Sequence, residues 1–516
     1  MLTLEIRWRH FADFLCLALL LSFAFAIAYP RWRAGMDWRD EGLLAYGAVR
    51  VAAGEIPHRD FISVQPPLSY YATAALFKIC GTSLVTLREF GLAIFLLLPL
   101  LVYGVARCLT VSPILSLAAA APLCILGLPY IYFFPFPAWQ GIAASFAAVL
   151  LFIPAALSRR QWLAIPAGLL SSISLLLRHD QGVYTIISIF VLATALRFVW
   201  PDPISKTNVK RALLFWLGGM AVIGVPLFII WWKIGALPEM FRQLVVFPFA
   251  TYRKTSSLPY PKFSAATSAQ NIAVLVLYYL PPFVQAIGAL YLVAQSFWRK
   301  RFGFPEAVLV FLTVWSALFY LQVTVRSDQS HLLMTLPPFF LLTAFGYSIL
   351  RQTIVRRRAV DLTLSVIVTA LAGSFLWILR PIALPDVSRA TEQLALERGG
   401  VRIEQASGVA GFVKSLQAFV PPTRSILALP YQPMFYFLCQ RRNPTHWNYL
   451  WPGDQTGSDY EHFIDQAERD PPAVVLLSEQ RELDTYAPAI VSYVDAHYTR
   501  TDRVGRTSIY VRREGN

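Results

Sequence analysis

A chain of 516 residues that is 56% hydrophobic and only 15% charged is too apolar for a soluble globular protein. Its net charge of +15 would suit a nucleic-acid partner, but most of the excess basic residues lie in short segments between apolar runs, where they set membrane topology. Composition therefore excludes a soluble enzyme, favours a protein surrounded by membrane lipids, and gives no reason to expect a nucleic-acid partner.

Eleven apolar runs approach the roughly 20 residues that an α-helix needs to cross a bilayer. They cover residues 11–29, 90–109, 113–128, 138–157, 162–177, 182–199, 212–232, 272–295, 307–323, 332–350 and 362–379. We therefore predict about eleven transmembrane helices, forming an all-α polytopic membrane domain over residues 1–380.

The basic residues between these runs predict the orientation. If the N-terminus with Arg7 and Arg9 is cytoplasmic, successive crossings bring most of the remaining basic clusters to the same side, as the positive-inside rule requires. Those clusters are Arg107, Arg159-Arg160, Lys206 with Lys210-Arg211, Arg299 to Arg301, and Arg351 with Arg356 to Arg358. An odd number of crossings then places residues 381–516 outside. With a bacterial inner membrane as the default, this C-terminal part is expected to be periplasmic.

Beyond residue 380 the composition becomes that of a soluble domain. Residues 425–429, 473–477 and 507–511 are short apolar runs typical of strands, and the first two are followed by helical patterns. We predict a small extracytoplasmic α/β domain over residues 381–516. It would cover the site, bind an acceptor, or act only as scaffold.

The first external loop, residues 30–85, carries more charge than a connection between two helices needs. It contains the adjacent pairs Asp40-Glu41 and Arg59-Asp60, followed by the corner Pro66-Pro67-Leu68. Because loops on a rigid scaffold often carry function, these residues form a candidate site. The structural alternative is that Asp40 caps a helix that begins at Glu41.

The Asp40-Glu41 pair, followed after a spacer by Pro66-Pro67-Leu68, resembles the first external loop of the GT-C membrane glycosyltransferases. The resemblance is to the branch with the dolichyl-phosphate-mannose protein mannosyltransferases, the lipid A aminoarabinose transferases and the Rgt-like proteins. Val64-Gln65 stands where the aminoarabinose transferases have an acidic-basic pair. This departure indicates a different donor or acceptor within the same fold.

The resemblance implies an inverting glycosyltransferase that moves a sugar from a polyprenyl-phosphate donor to a lipid, glycan or protein acceptor on the outer face. It implies Asp40 as the catalytic base and Glu41 as its companion, with Arg59 and Asp60 binding substrate. Such a reaction needs a base for the acceptor hydroxyl and cations for the departing phosphate. No cofactor is expected, although a divalent metal ion remains an option.

The outer loop over residues 233–270 combines basic and aromatic side chains, and Arg253-Lys254 is its densest charge. This combination suits an anionic lipid headgroup. Arg253 and Lys254 would bind the donor phosphate, or the loop would lie on ordinary anionic lipid.

Two further charged groups are expected on the outer face. Arg178-His179-Asp180 joins two apolar runs, and Arg326, Asp328 and His331 lie just before a late one. Charged residues at membrane depth are costly unless they are paired or functional, so we count all six as candidate substrate-binding residues. The alternatives are a structural pair between Arg178 and Asp180, and a polar turn between two spans.

A polytopic transporter or a lipid or glycan flippase is the alternative function. Such proteins carry charges near mid-span on interrupted helices. Here the charges cluster at the external ends of the apolar runs, which favours the enzyme.

Overall fold

The computed structural model describes residues 2–199, 203–265, 267–299, 302–354, 372–453, 455 and 457–513. The basic run Arg356 to Arg358 and most of the eleventh expected span, residues 362–379, lie outside the described residues.

The described helices are α1 (Leu2–Ala28), α2 (Asp40–Ala52), α3 (Leu68–Cys80), α4 (Leu84–Cys108), α5 (Pro113–Ala120), α6 (Pro137–Leu157), α7 (Ala164–Leu177), α8 (His179–Val199), α9 (Pro203–Lys233), α10 (Leu237–Phe241), α11 (Arg253–Thr255), α12 (Ala269–Ala294), α13 (Phe304–Val325), α14 (Gln329–Ile354), α15 (Ala372–Ala383), α16 (Ala406–Phe419), α17 (Met434–Cys439), α18 (Gly457–Arg469), α19 (Gln480–Tyr486) and α20 (Pro488–His497). The strands are β1 (Glu392–Gln393), β2 (Arg402–Ile403), β3 (Ile426–Leu429), β4 (Val474–Ser478), β5 (Tyr498–Val504) and β6 (Thr507–Arg512).

Within the described ranges, nine helices are long and apolar enough to cross a membrane. They are α1, α4, α5 with the turns that extend it, α6, α8, α9, α12, α13 and α14. α7 and α15 are shorter apolar helices. Each of the first ten predicted spans therefore coincides with a helix, and the fifth of them, α7, is shorter than a full span.

The chain divides into two compact units. The helical unit comprises Met1–Trp32, Gly91–Ile229 and Leu258–Asp386, and the mixed unit comprises Arg33–Phe90, Ile230–Ser257 and Val387–Asn516. Segments of the two units alternate along the sequence, so the first external loop shares the mixed unit with the C-terminal strands. Part of the outer loop over residues 233–270, from here on the basic loop, also belongs to the mixed unit.

The helical unit is built by close helix packing, above all of α6 on α7, α8 on α13, and α13 on α14. Small residues permit the closest approaches: a Cβ added to Gly168 of α7 would collide with the carbonyl oxygen of Trp216 on α9. Such contacts are typical of membrane helices, which lack a hydrophobic drive to associate and gain from close backbone packing.

The mixed unit contains a four-stranded sheet in the order β3-β4-β6-β5. β3 and β4 are parallel, and both are fully buried, as apolar runs with little alternation predict. β6 pairs antiparallel with β4 and β5. The expected small α/β part is therefore confirmed. β5 was not predicted, because six of its seven residues are exposed and its sequence shows no alternation of apolar and polar residues.

The first external loop packs on this sheet region through α2 and α17. A Cβ added to Gly42 of α2 would lie 2.5 Å from the backbone nitrogen of Met434 at the start of α17, so only glycine fits there. The ring of Tyr46 packs against that of Tyr436, tilted by 31°, with ring centroids 4.8 Å apart. The loop is thus a folded helical segment that shares a hydrophobic core with the C-terminal residues.

Candidate functional site

Asp37 fixes the start of α2. Its Oδ1 accepts hydrogen bonds from the backbone nitrogens of Arg39 (2.9 Å), Asp40 (2.6 Å) and Glu41 (3.4 Å). A carboxylate at this position satisfies amides that have no partner within the helix and complements the helix dipole. The interpretation of Asp40 as the cap is therefore wrong, because Asp37 caps this helix.

Asp40 instead contacts the C-terminal part of the mixed unit. The hydroxyl of Tyr431 donates a hydrogen bond to Asp40 Oδ1 at 2.7 Å. Beside it, the Arg39 guanidinium forms an ion pair with Glu479 at 3.1 Å and lies 6.0 Å from the ring centroid of Trp451. The carboxylate expected to act as base therefore lies among side chains that come from residues some 390 to 440 positions later.

Glu41 is fully buried against Arg88 of α4. Arg88 donates to Glu41 Oε2 at 2.7 Å, both side chains are inaccessible to solvent, and the backbone nitrogen of Asp37 donates to the same oxygen. Burial raises the pKa of the Glu41 carboxyl to about 7, and the Arg88 guanidinium acts in the opposite direction. Glu41 thus anchors α2 to α4, which fits the role of a companion better than that of a reacting group.

Arg50, at the end of α2, is a buried residue with several polar partners, which the sequence analysis did not predict. It forms an ion pair with Glu55 at 2.6 Å and donates to the Asn448 side chain at 2.8 Å and to the Thr445 carbonyl at 3.2 Å. It also donates to the carbonyl of Asp60. Two of its partners, Thr445 and Asn448, are about 400 residues away, so no local sequence pattern indicates this role.

Arg59 and Asp60 pair with each other at 2.8 Å. The hydrogen bonds from Arg59 lower the pKa of Asp60, although partial burial acts against them. Asp60 also accepts from the backbone nitrogen of Ile56, which closes the turn. Their assignment to substrate binding stays a prediction, and the structure gives them a clear local role.

His58 links the first external loop to the start of the basic loop. Its Nδ1 lies 2.7 Å from Gln243 Oε1, and Gln243 in turn donates to Glu239 at 2.7 Å. Burial alone would raise the pKa of Glu239, but hydrogen bonds from Arg242 and Gln243 outweigh it and lower the pKa. Sequence analysis also missed this buried connection. His58 has a positive φ of 70°, and no sequence pattern around it indicates that conformation or its partner.

Arg253 and Lys254 lie on the short helix α11, with both side chains exposed. The nearby Ser256 is buried and accepts a hydrogen bond from the Trp451 indole at 3.1 Å. The two cations therefore project from a segment whose end is fixed to the C-terminal residues of the same unit.

A cleft in the mixed unit is lined by both aromatic and polar side chains. Its walls include Arg242, Gln243, Trp447, Tyr449 and Asp459. Aromatic faces beside amide, carboxylate and guanidinium groups suit a ligand with many hydroxyls, because apolar faces stack while polar groups hydrogen-bond.

In the helical unit, Arg178 and Asp180 form the local pair that the structural alternative predicts, at 3.1 Å. Asp180 also accepts a hydrogen bond from Gln322 of α13. His179 Nδ1 is buried, and it has no hydrogen-bond partner among the residues that the structure describes.

Arg326, Asp328 and His331 contact one another. Asp328 lies 2.6 Å from Arg326 and 2.7 Å from His331 Nδ1, and its Oδ1 also accepts from the His331 backbone nitrogen at 2.9 Å. Burial would raise the pKa of Asp328, but the hydrogen bonds from His331 and Ser330 lower it strongly. Asp328 is thus the N-cap of α14, so the expected polar turn is present.

These two groups are connected through α13. Gln322 bonds to Asp180, and one turn later the backbone of Arg326 bonds to the Gln322 carbonyl. The sequence predicted each group separately, and the structure shows that α13 connects them. Over the described part of the chain, no three His, Cys, Asp or Glu side chains are grouped as metal ligands would be.

Comparison with solved structures defines the fold. The oligosaccharyltransferase of Archaeoglobus fulgidus, tethered to an acceptor peptide, matches with a TM-score of 0.55 at 12% identity, over 97% of this chain and 74% of that one. ArnT from Cupriavidus metallidurans, bound to undecaprenyl phosphate, gives 0.52 at 14% identity, over 97% and 98%. The chain has the GT-C fold.

The GT-C fold confirms the architecture expected from the first-loop motif, and with nine apolar helices of spanning length among the described residues the protein is an integral membrane protein. No protein-family profile and no curated protein matches the sequence. At identities of 12 to 14%, the likeness establishes the fold, and the activity must be argued from the residues of this chain.

Proposed function

We propose that the protein is an inverting glycosyltransferase that transfers a sugar from a polyprenyl-phosphate donor to a hydroxyl of a lipid, glycan or protein acceptor. The observation that carries the proposal is the state of Asp40. Within a GT-C fold, Asp37 caps the helix in place of Asp40, and the Asp40 carboxylate accepts a hydrogen bond from Tyr431. That is the arrangement of an oriented base.

The proposed reaction is a single displacement. Asp40 takes the proton of the acceptor hydroxyl, whose oxygen bonds to the anomeric carbon of the sugar. The bond between that carbon and the phosphate oxygen breaks, and the polyprenyl phosphate leaves with the electron pair. Attack from the face opposite the leaving group inverts the anomeric centre, by analogy with inverting hydrolysis.

Cations are needed at the departing phosphate, and Arg253 and Lys254 are proposed to bind it. Their exposure and the attachment of their segment through Ser256 support this role. The solved ArnT carries undecaprenyl phosphate, which makes a polyprenyl phosphate the chemical class to test first. Arg59 is a further proposed contact, and Arg326 is a proposed substrate-binding residue of the helical unit, although each already pairs with a neighbouring aspartate.

Roles are also proposed for the remaining predicted site residues. Glu41 would hold α2 in place through Arg88, and Asp60 would orient Arg59. Arg178, His179, Asp180, Asp328 and His331 are proposed substrate-binding residues of the helical unit. The mixed cleft is proposed to bind the acceptor, with the C-terminal domain on the periplasmic face of a bacterial inner membrane.

The test is to incubate the purified protein with a panel of polyprenyl-phosphate sugars and measure the release of free polyprenyl phosphate. We expect release with one donor that increases when the correct acceptor is present. Movement of a donor across a liposome bilayer without any release, by the wild-type protein, would contradict the enzyme and support a flippase.

A further inference from the structure

Tyr431 is placed beside Asp40 by the backbone around it. It lies between the end of β3 and the start of α17, and the Met434 nitrogen at that start donates to the Trp38 carbonyl at 3.4 Å. The close approach of Gly42 to Met434 fixes α2 against the same point. The hydrogen bond between Tyr431 and Asp40 is therefore set by packed backbone on both sides.

The ring of Tyr431 is held by an aromatic cluster that we define as Tyr431, Tyr449 and Trp451. The Tyr431 centroid lies 4.8 Å from that of Tyr449 and 6.0 Å from that of Trp451, the latter edge-on. Such contacts orient aromatic rings and add to their burial. With its ring fixed in this way, the Tyr431 hydroxyl has little freedom to leave Asp40.

The aromatic cluster also joins the two loops that the proposed reaction needs. Trp451 donates its indole N–H to Ser256, which follows α11 with Arg253 and Lys254. On the other side, Tyr431 donates to Asp40. Three rings from the C-terminal residues thus connect the proposed base to the segment that carries the proposed phosphate ligands.

The electrostatics keep Tyr431 a donor. Burial raises its pKa well above the ordinary value, and the neighbouring carboxylates of Asp40 and Asp37 and the hydroxyl of Tyr449 act in the same direction. The phenol therefore stays protonated over the working pH range. A protonated phenol next to a carboxylate donates a charge-assisted hydrogen bond, which is stronger than one between neutral groups.

We propose that Tyr431 is a positioning residue for Asp40: its hydroxyl fixes the orientation of the carboxylate that takes the acceptor's proton. The C-terminal domain thereby contributes a residue to the active site. This inference rests on the proposed function, since it assigns Tyr431 a role through the proposed base.

Tyr431→Phe tests the inference because it keeps the ring and removes only the hydroxyl. We expect kcat to fall about tenfold or more, the scale of one hydrogen bond to a charged group. The donor KM should change less than twofold, because the hydroxyl is not proposed to contact the donor. Tyr510→Phe is the matched control: it removes a C-terminal hydroxyl that bonds to Gln480, and it should leave both constants unchanged.

The pH profile separates positioning from a merely structural role. A donated hydrogen bond favours the ionised carboxylate, so its loss should move the acid limb of the activity profile of Tyr431→Phe to higher pH. An equal loss of activity at every pH would overturn the inference. So would a lower yield of folded protein whose turnover per folded molecule is normal.

A double-mutant cycle with Asp40→Asn distinguishes failure of the inference from failure of the proposed function. If Tyr431 acts through Asp40, adding Tyr431→Phe to Asp40→Asn should cause no further loss. If Asp40→Asn abolishes transfer while Tyr431→Phe keeps wild-type kcat and pH profile, the inference is wrong and the function stands. If Asp40→Asn itself transfers normally, Asp40 is not the base and the proposed mechanism is wrong.

Discussion

The charged groups at the start of α2 differ from those that join the spans of the helical unit in how far apart the paired residues lie in the sequence. In the helical unit, Arg178 pairs with Asp180, and Asp328 with Arg326 and His331, all within a few residues. In the mixed unit, Glu41 pairs with Arg88, Arg39 with Glu479, and Asp40 with Tyr431. Local pairs stabilise turns and helix ends, whereas distant pairs fix separate segments in one arrangement, as an active site requires.

This contrast predicts where substitutions destabilise the protein most. Arg88→Met leaves the Glu41 carboxylate buried without its cation, which typically costs ~3–5 kcal/mol in the free energy of unfolding. Arg326→Met breaks a pair whose side chains are 24% and 26% exposed, so it should cost far less. Thermal unfolding in detergent compares the two variants.

The double variant Arg88→Met with Glu41→Met is the control. It replaces a buried pair by apolar side chains, which is often nearly neutral, so it should recover most of the stability lost in Arg88→Met. Equal destabilisation by Arg88→Met and Arg326→Met would remove the contrast between distant and local pairs.

Glu41 should make the free energy of unfolding depend on pH in a way that the local ion pairs do not. Its folded pKa is raised from 4.5 to about 7, so between these values the folded state binds a proton that the unfolded state has lost. The stability that Glu41 contributes is therefore fully present below the unfolded pKa of 4.5 and is lost as pH rises through about 7. Glu41→Gln should flatten this part of the stability curve.

Other carboxylates act in a different pH window. The pKa values of Asp60, Glu239 and Asp328 are lowered, so the stability that they contribute is present above their unfolded pKa and is lost only as pH falls below it. Thermal unfolding of wild type and Glu41→Gln between pH 5 and 8 isolates Glu41. Parallel curves would contradict its raised pKa.

The exposed cations should affect donor binding. Arg253→Ala with Lys254→Ala is expected to raise the donor KM about tenfold or more, since each cation near an anionic headgroup contributes about 1 kcal/mol. The kcat should change less, because a phosphate present in both ground and transition states receives mostly uniform binding. Steady-state kinetics with varied donor checks this split.

Arg159→Ala with Arg160→Ala is the matched control, because it removes the same charge from exposed residues on the face predicted to be cytoplasmic. This pair should leave the donor KM unchanged. The same rise in KM for both double variants would mean that net charge, and no specific phosphate contact, is responsible.

The smallest expected effect concerns the local cap. Asp328→Ala should lower stability by about 1 kcal/mol through loss of the N-cap of α14, whereas Asn caps about as well as Asp. Asp328→Asn should therefore retain most of the stability in thermal unfolding. If Asn were as damaging as Ala, the ion pairs with Arg326 and His331 would matter more than the cap.

Sequence predicted what depends on local pattern. The apolar runs gave the helices, and β3, β4 and β6 coincide with short apolar segments. The candidate first loop was found from its charges, but the structural alternative placed the helix cap on Asp40, whereas Asp37, three residues earlier, binds the amides. A local pattern cannot decide which of two nearby aspartates faces the free amides.

The distant contacts could not be predicted from one sequence. Arg88 lies in the first turns of an apolar helix, and its partner Glu41 is 47 residues earlier. Arg50 and Tyr431 have partners about 400 residues away, and no periodicity connects such positions. Long-range pairing depends on tertiary packing, so the candidate residues were found while their distant partners were not.

The most direct test of the central claim is the transfer rate of Asp40→Asn. Removing the proton acceptor while keeping the side chain's size should lower kcat ~10²-fold or more, with the folded protein and the donor KM retained. Glu41→Gln should be milder, because Glu41 acts through Arg88. Near-normal transfer by Asp40→Asn would contradict the account, and abolition by Glu41→Gln alone would move the base by one residue.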